Sequence, residues 1–138
     1  MIVDDVKARL DISGTPFALV KGANELADVL DRPPATPAAY VFISGENSAE
    51  NERINGPLLQ RTSADVSVVI ITENSGTPDD VARDIEQLKK FVRKRLLGFT
   101  PTEADPLEHI VGKIQQVKDG MVWFEDVFGT AFYMEEEL

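Results

Sequence analysis

The chain has 138 residues, of which 43% are hydrophobic and 28% charged, a composition typical of one soluble globular domain. Its formal net charge of −10 argues against nucleic acid and anionic membranes as main ligands, because both depend on Lys and Arg. The absence of cysteine excludes disulfides and thiolate metal sites, and no apolar run of about 18 residues is available to span a membrane. We therefore expect protein partners, no membrane and no sequence-specific nucleic acid binding.

The first third of the chain predicts two short helices separated by a short strand. Apolar residues at helical spacing indicate an amphipathic helix over residues 2–11. Residues 17–20 follow as a short strand. Asn24 is a predicted N-cap for the second helix, which presents Leu26, Val29 and Leu30.

The middle of the chain predicts two apolar strands, over residues 38–44 and 63–72, joined by a polar arm over about residues 45–61. The second strand is a nearly continuous β-branched run, which indicates that both its faces are covered and that it is central in the sheet. Connections this long without secondary structure are usually functional or mobile. The arm lacks a group of side chains suited to catalysis, so we interpret it as a protein-binding device built from Asn47, Glu50, Asn51, Glu52 and Arg53.

The best-defined element is a helix between a predicted N-cap at Thr77 and a terminating Gly98. Its predicted buried stripe is Val81, Ile85, Leu88, Val92 and Leu96. Its second half contains five cations: Lys89, Lys90, Arg93, Lys94 and Arg95. One interpretation is a solvated face that complements the helix dipole.

The alternative interpretation of these cations is an assembly patch. Its counter-charge would be the acidic end Glu135, Glu136 and Glu137 of a neighbouring copy. Separated charges of both signs suit head-to-tail contacts, which close into a ring when the rotation permits.

The last third predicts a hairpin with strands over residues 109–117 and 121–127, joined by a tight turn at Asp119-Gly120, and a final strand over 130–134. Because aromatic residues are enriched at interfaces, Trp123 and Phe128 are candidate interface residues. The order of elements lacks regular βαβ alternation. It predicts a single α+β domain over residues 1–138, with a mainly antiparallel or mixed β-sheet packed against two or three helices.

The sequence contains no convincing catalytic or metal-binding pattern. His109 is the only histidine, and a lone histidine is most often structural or solvated. Neighbouring acids such as Asp4 and Asp5 point in different directions and make no cation site by themselves. We predict no enzyme, no cofactor and no metal, while a small-molecule enzyme using carboxylates such as Asp65 or Asp126 stays open as an alternative.

Several segments, in order along nearly the whole chain, resemble the tail terminator (tail completion) family of long-tailed bacteriophages and prophages. They are MIVDDVKARL, VKGANELADVL, PPATPAAYVFISG, NGPLLQRTSADVSVVIITEN, RKRLLGFTP and DGMVWFEDVFGTAFYM. These motifs are structural rather than catalytic.

The resemblance implies a subunit that assembles as a hexameric ring, caps the tail tube, ends tube polymerisation and forms the surface for head attachment. The implied partners are other copies of the chain, the tail tube protein, and a head–tail connector or head completion protein. The implied location is the virion tail, assembled in the bacterial host cytoplasm. Another small tail or neck component, or a phage-encoded adaptor that acts as a monomer, is the alternative.

Overall fold

The computed structural model of the chain describes residues 1–29, 32–73 and 78–138. In chain order the elements are α1 (Ile2–Leu10), β1 (Leu19–Lys21), α2 (Ala23–Ala27), β2 (Ala38–Ser48), β3 (Leu59–Glu73), α3 (Pro78–Leu96), β4 (Glu108–Lys118) and β5 (Met121–Glu135). The predicted α+β class is confirmed. The predicted cap Thr77, residue Leu30 and the side chain of Val81 lie outside the described residues.

The strands form one sheet in the order β1-β2-β3-β5-β4. β1 pairs with β2 in parallel, and the other pairs are antiparallel. β3 is central, as its β-branched run predicts, because successive side chains of a strand alternate between two covered faces.

One face of the sheet is covered by α1 and α3, and part of the other is covered by α2. We call them the α1/α3 face and the α2 face. The core under α1 and α3 includes Val6, Leu10, Val66, Val68, Ile70, Leu88, Val92, Leu96 and Phe124. The smaller cluster on the α2 face contains Ala38, Tyr40, Val69, Ile71 and Met121. Successive residues of β3 belong alternately to the two clusters. This strand therefore separates the two cores and contributes side chains to both.

β5 is one continuous strand, although the sequence predicts a break near Gly129. Gly129 pairs with Asp65 on one side and Glu108 on the other. A Cβ at Gly129 would lie 2.8 Å from Cδ1 of Ile110, so the glycine gives room for a side chain of the neighbouring strand. The glycine therefore marks a close approach and not a strand end.

Local signals at element ends are confirmed in two places and wrong in one. The hairpin turn has φ of 53° at Asp119 and 76° at Gly120, as a tight two-residue turn requires. Gly98 follows α3 with φ of 76°. The N-cap of α2 is Gly22 and not Asn24, because the Gly22 N–H donates to Oε2 of Glu25 over 3.2 Å and starts the helix two residues earlier.

Neighbouring leucines at the end of α3 allow a matched test of this packing. Leu96 is fully buried, whereas Leu97 is 52% exposed. We expect Leu96→Ala to lower the free energy of unfolding by about 2–5 kcal/mol, since it removes apolar contacts and leaves a cavity. Leu97→Ala should change it by no more than about 0.5 kcal/mol. Urea denaturation measures both, and equal losses would contradict the packing of α3 described above.

Candidate assembly surface

The two ends of the polar arm belong to strands, since residues 45–48 lie in β2 and residues 59–61 lie in β3. β2 continues to Ser48 and β3 begins at Leu59, so the loop between them spans residues 49–58. In the extension Asn47 pairs with Ser63, and the hydroxyls of Ser48 and Thr62 lie 2.8 Å apart. β5 borders the same part of β3, with Leu59 opposite Glu135. The ends of the arm are therefore part of a three-stranded extension of the sheet, which supplies backbone partners that the polar sequence does not reveal, and residues 49–58 form the loop at its end.

A bulge marks where this extension leaves the main sheet. The register between β2 and β3 shifts between Ile43 and Gly45, which leaves Ser44 as the extra residue. Ser67 lies 2.7 Å from Ser44 through their hydroxyl oxygens, and the Ser44 hydroxyl donates to the Asp65 carbonyl over 3.3 Å. These bonds satisfy polar groups at the bulge and fix the direction of the extension.

The loop over residues 49–58 is organised by Asn51. Its Oδ1 accepts hydrogen bonds from the N–H groups of Arg53, at 3.2 Å, and Leu59, at 2.9 Å. Its Nδ2 donates to the Arg53 carbonyl over 3.1 Å. One side chain thus joins both ends of the loop, so Asn51, predicted as a binding residue, has an internal structural role.

The acidic end of the sequence joins this loop in one surface. Arg53 forms an ion pair of 2.5 Å with Glu135. Glu136 donates its N–H to the Leu58 carbonyl over 2.8 Å and accepts the Leu58 N–H at its side chain over 3.0 Å. We call residues 49–58 and 134–138 the acidic tip. It brings together the exposed acids Glu50, Glu52, Glu135, Glu136 and Glu137.

The five cations in the second half of α3 do not form one free patch. Lys89 bonds to Glu86 over 2.8 Å and lies over the Phe124 ring at 4.6 Å. Arg95 donates to the Arg9 carbonyl over 3.1 Å. Arg93 binds the buried carboxylate of Asp126. Of these five residues, Lys90 and Lys94 are exposed and the other three are partly buried. The prediction that all five make a surface patch is wrong for Arg93, because its side chain is part of the packing between α3 and the sheet.

Asp126 is the centre of this packing. It is fully buried, and it accepts hydrogen bonds from Nε of Arg93 at 2.9 Å and Nη2 at 3.1 Å. Nε2 of His109 lies 2.6 Å from Oδ1 of Asp126, the oxygen that also accepts the hydrogen bond from Nη2 of Arg93. The hydrogen bonds to Asp126 raise the pKa of Arg93. His109 is therefore structural, and Asp126 is enclosed by partners and not placed at an open cleft.

The two candidate interface aromatics differ. Phe128 is fully buried, and its ring meets the His109 ring edge-to-face at 5.3 Å. It is a core residue, so its prediction as an interface residue is wrong: α3 and the chain around it cover more of β5 than the sequence suggests. Trp123 is half-buried beside the cluster on the α2 face, and its buried Nε1 lacks a hydrogen-bond partner among the described residues.

A hollow of about 390 Å³ lies beside Gly129 and contains the carboxylates of Asp65, Asp105 and Glu108. Arg61 forms an ion pair and a side-chain hydrogen bond with Asp105. The hydrogen bond raises the pKa of Arg61. Within residues 1–29, 32–73 and 78–138, no group of three His, Asp or Glu side chains is arranged to bind a metal ion. In the same ranges no helix is long and apolar enough to cross a membrane.

Sequence reasoning missed the exposure of β4. Nearly all its residues are exposed, including Ile110, Val111, Ile114 and Val117. The sequence predicts the strand but not its edge position, and its apolar residues alone do not tell a covered strand from an exposed one.

Comparisons with known proteins agree with this architecture. The chain matches the family model described as "Phage tail terminator protein" over residues 3–137. A similar solved structure is a chain from the "Virion of native gene transfer agent (GTA) particle", at 18% identity and a TM-score of 0.53, covering 96% of this chain and 84% of that chain. This likeness shows the fold. Among curated proteins, none matches.

The chain therefore belongs to the phage tail terminator family, since the match covers nearly all of it. It is a structural protein of the phage virion tail. The family assignment made from the sequence segments is confirmed.

Replacement of Asn51 tests the organisation of the tip. We expect Asn51→Ala to speed amide hydrogen exchange at Arg53 and Leu59 by roughly fivefold, because each loses an acceptor worth about 1 kcal/mol. Asn51→Asp keeps the acceptor oxygen and is the matched control. Unchanged exchange in Asn51→Ala would show that the loop does not depend on this side chain.

Replacement of Arg93 tests the buried ion pair. We expect Arg93→Ala to lower the free energy of unfolding by roughly 2–4 kcal/mol, because buried Asp126 loses its charged partner. Lys94→Ala, one residue further on and exposed, should change it by no more than about 0.5 kcal/mol. Denaturation of the double variant Arg93→Ala/Asp126→Ala should cost less than the sum of the two single changes. Additive losses would mean that the pair is not coupled.

Proposed function

We propose that this protein caps the phage tail tube as a hexameric ring, ends tube polymerisation and forms the interface to which the head attaches. The observation that carries the proposal is the family match over residues 3–137. The mechanism is competition for a binding surface. The ring occupies the tube end that the next tube subunits would use, and its upper face does not template further tube.

The acidic tip supports this role because it is a projecting surface with a defined shape. Its loop is bound at both ends by Asn51 and to β5 through Arg53 and Glu135. A binding surface that is ordered before contact loses less conformational entropy on docking. The tip also exposes Ile54 at 98% and Leu58 at 47%, apolar side chains that a partner would cover.

The proposed partners are other copies of the chain, the tail tube protein and a head–tail connector or head completion protein, with assembly in the host cytoplasm and no enzymatic step. The net charge of −10 suits a ring around a DNA path, since acidic walls repel passing DNA and do not retain it. Trp123 stays a candidate interface residue, because the residue is only half-buried on the α2 face.

Electron microscopy of the purified protein mixed with tail tubes of the encoding phage tests the proposal. We expect a ring at one tube end and no further growth when tube subunits are added. A variant with residues 50–58 replaced by a Gly/Ser linker of equal length should fold but fail to cap tubes, because the shape and acids of the tip are lost. Lys21→Glu, on the distant strand β1, is the control and should cap normally.

Uncapped tubes with the unaltered protein would contradict the proposed function and favour another tail or neck component. Normal capping by the linker variant would contradict only the role of the tip.

A further inference from the structure

An apolar groove lies on the α1/α3 face of the sheet, where the three-stranded extension passes beyond the first turn of α1. Its volume is about 270 Å³, and its apolar walls are Ile2 and Val3 of α1, Ile43 of β2 and Phe132 of β5. All four side chains are partly exposed. Ile2, Val3 and Ile43 also pack against the core, so the groove has a fixed floor. We call it the α1 groove.

One wall of the α1 groove comes from the loop that follows α3. Oδ2 of Asp5 accepts the Thr102 N–H over 2.8 Å, which joins this loop to α1. The pKa of Asp5 is lowered by this hydrogen bond first, and also by the amino group of Met1. The bond places Thr102 and Glu103 in the lining of the groove. The groove is therefore built by three separate segments that the fold holds together.

The rim of the α1 groove is acidic. Glu46 and Glu103 both line it, and both are exposed. Of the other charged side chains on this part of α1, Asp4 and Lys7 form an ion pair with each other at 3.9 Å. An apolar groove with an acidic rim fits an apolar side chain that has cations next to it.

The outer side of α3 presents such a side chain. Lys90 and Lys94 are exposed, and so is Leu97, which directly follows the helix. Its N–H donates to the carbonyl four residues earlier over 2.9 Å, so Leu97 continues the helical geometry. The spacing of four and three residues puts all three side chains on one side of the helix. We call them the α3 ridge. The acid one turn before Lys90 is Glu86, which bonds to Lys89.

The α3 ridge and the α1 groove lie on different sides of the molecule. Arg95 faces α1, since it exchanges hydrogen bonds with the main chain of Arg9 through both guanidinium groups, at 2.9 and 3.1 Å. Leu97 is two residues further on, which corresponds to roughly 200° of rotation around a helix. Leu97 therefore faces away from α1, so a contact between ridge and groove joins two copies.

Other exposed apolar side chains fit the groove less well. Within the described residues, those outside the strands are Met1, Ile54, Leu58, Leu97 and Leu138. Met1 lines the groove itself. Ile54, Leu58 and Leu138 belong to the acidic tip, whose charge has the same sign as the rim. Leu97 alone in this set has lysines on its own side.

We propose that the α3 ridge of one copy binds the α1 groove of the next copy. Leu97 enters the apolar groove, and Lys90 and Lys94 lie beside Glu46 and Glu103. Because ridge and groove are different surfaces, the contact is head-to-tail and repeats around a ring or along a filament. The closure into a ring rests on the proposed function, whereas the contact rests on the ridge and the groove.

Charge reversal with complementation tests the contact. The ridge variant is Lys90→Glu/Lys94→Glu, and the groove variant is Glu46→Lys/Glu103→Lys. All four side chains are exposed, so both variants should fold. We expect each variant alone to self-associate at least about tenfold more weakly than the unaltered chain, because both of its charge contacts become repulsive. Sedimentation velocity of the chain alone, and electron microscopy on tail tubes, measure the outcome.

An equimolar mixture of the two variants should recover assembly, because each ridge then meets a groove of opposite charge. Added salt should weaken the recovered assembly. Alternation of the two variants closes only rings with an even number of copies. The control Lys113→Glu/Lys118→Glu makes the same change in net charge as the ridge variant. Its two lysines lie on the α2 face, opposite Glu125 and Met121, so this control should assemble like the unaltered chain.

Cross-linking gives a second test, which the absence of native cysteine makes specific. A copy with Leu97→Cys is mixed with a size-tagged copy with Val3→Cys and oxidised. We expect a mixed disulfide dimer on a non-reducing gel, because a disulfide forms only where the two Cα atoms approach to about 4.4–6.8 Å. Leu97→Cys mixed with Val111→Cys, exposed on β4, is the control and should give little cross-linked product.

A charge variant that assembles as strongly as the unaltered chain, a mixture that does not recover assembly, or a cysteine pair that cross-links no better than its control would overturn the proposed contact. A chain that forms no oligomer alone or on tubes would overturn it as well. Rings that cross-link between ridge and groove but do not cap tubes would support the contact and refute the proposed function.

Discussion

The pairing of β3 with β5 is the constraint on which the rest of this structure depends. It is continuous from Leu59 opposite Glu135 to Glu73 opposite Met121. At one end the two strands form the central wall of the core. At the other end the same ladder extends beyond α1 and α3 and supports the acidic tip. The buried core and the exposed tip are therefore joined by one continuous strand pairing.

The outer hairpin strand is positioned by a charge network and not by apolar cover. Asp126 on β5 binds Arg93 from α3 and His109 from β4, so one buried carboxylate joins three elements. Gly112 is part of this arrangement, because a Cβ there would lie 2.8 Å from Oδ1 of Asp126 and 2.9 Å from Nη2 of Arg93. A buried charge with several partners favours one geometry over others, since each displaced partner leaves it unsatisfied. β4 can thus remain exposed and still have a defined position.

This arrangement leaves two different surfaces exposed on one subunit of the phage tail terminator family. One is β4, whose residues are nearly all exposed. The other is the acidic tip, which lies at the far end of the β3–β5 pairing from the turn between β4 and β5. The tip combines two segments that are distant in the chain, because Arg53 pairs with Glu135 and the Leu58 N–H donates to the side chain of Glu136.

The sequence by itself determined the fold class, the central position of β3, the tight turn at Asp119-Gly120 and the family, because these depend on local patterns such as β-branched runs and turn residues. It also predicted a protein-binding role for the region between the first two long strands, which stays a proposal. Only the tertiary structure decided which side chains are free. Arg93 and Phe128 look like surface candidates in the sequence, but Arg93 bonds to buried Asp126 on another element, and the ring of Phe128 packs against the ring of His109. Residues 49–58 contain no strand, but backbone hydrogen bonds from Ala49 and Glu52 and the side chain of Asn51 join this loop to β3. Burial and ion pairing depend on contacts between distant segments, which no local pattern records, so the site emerged only after the sheet was assembled.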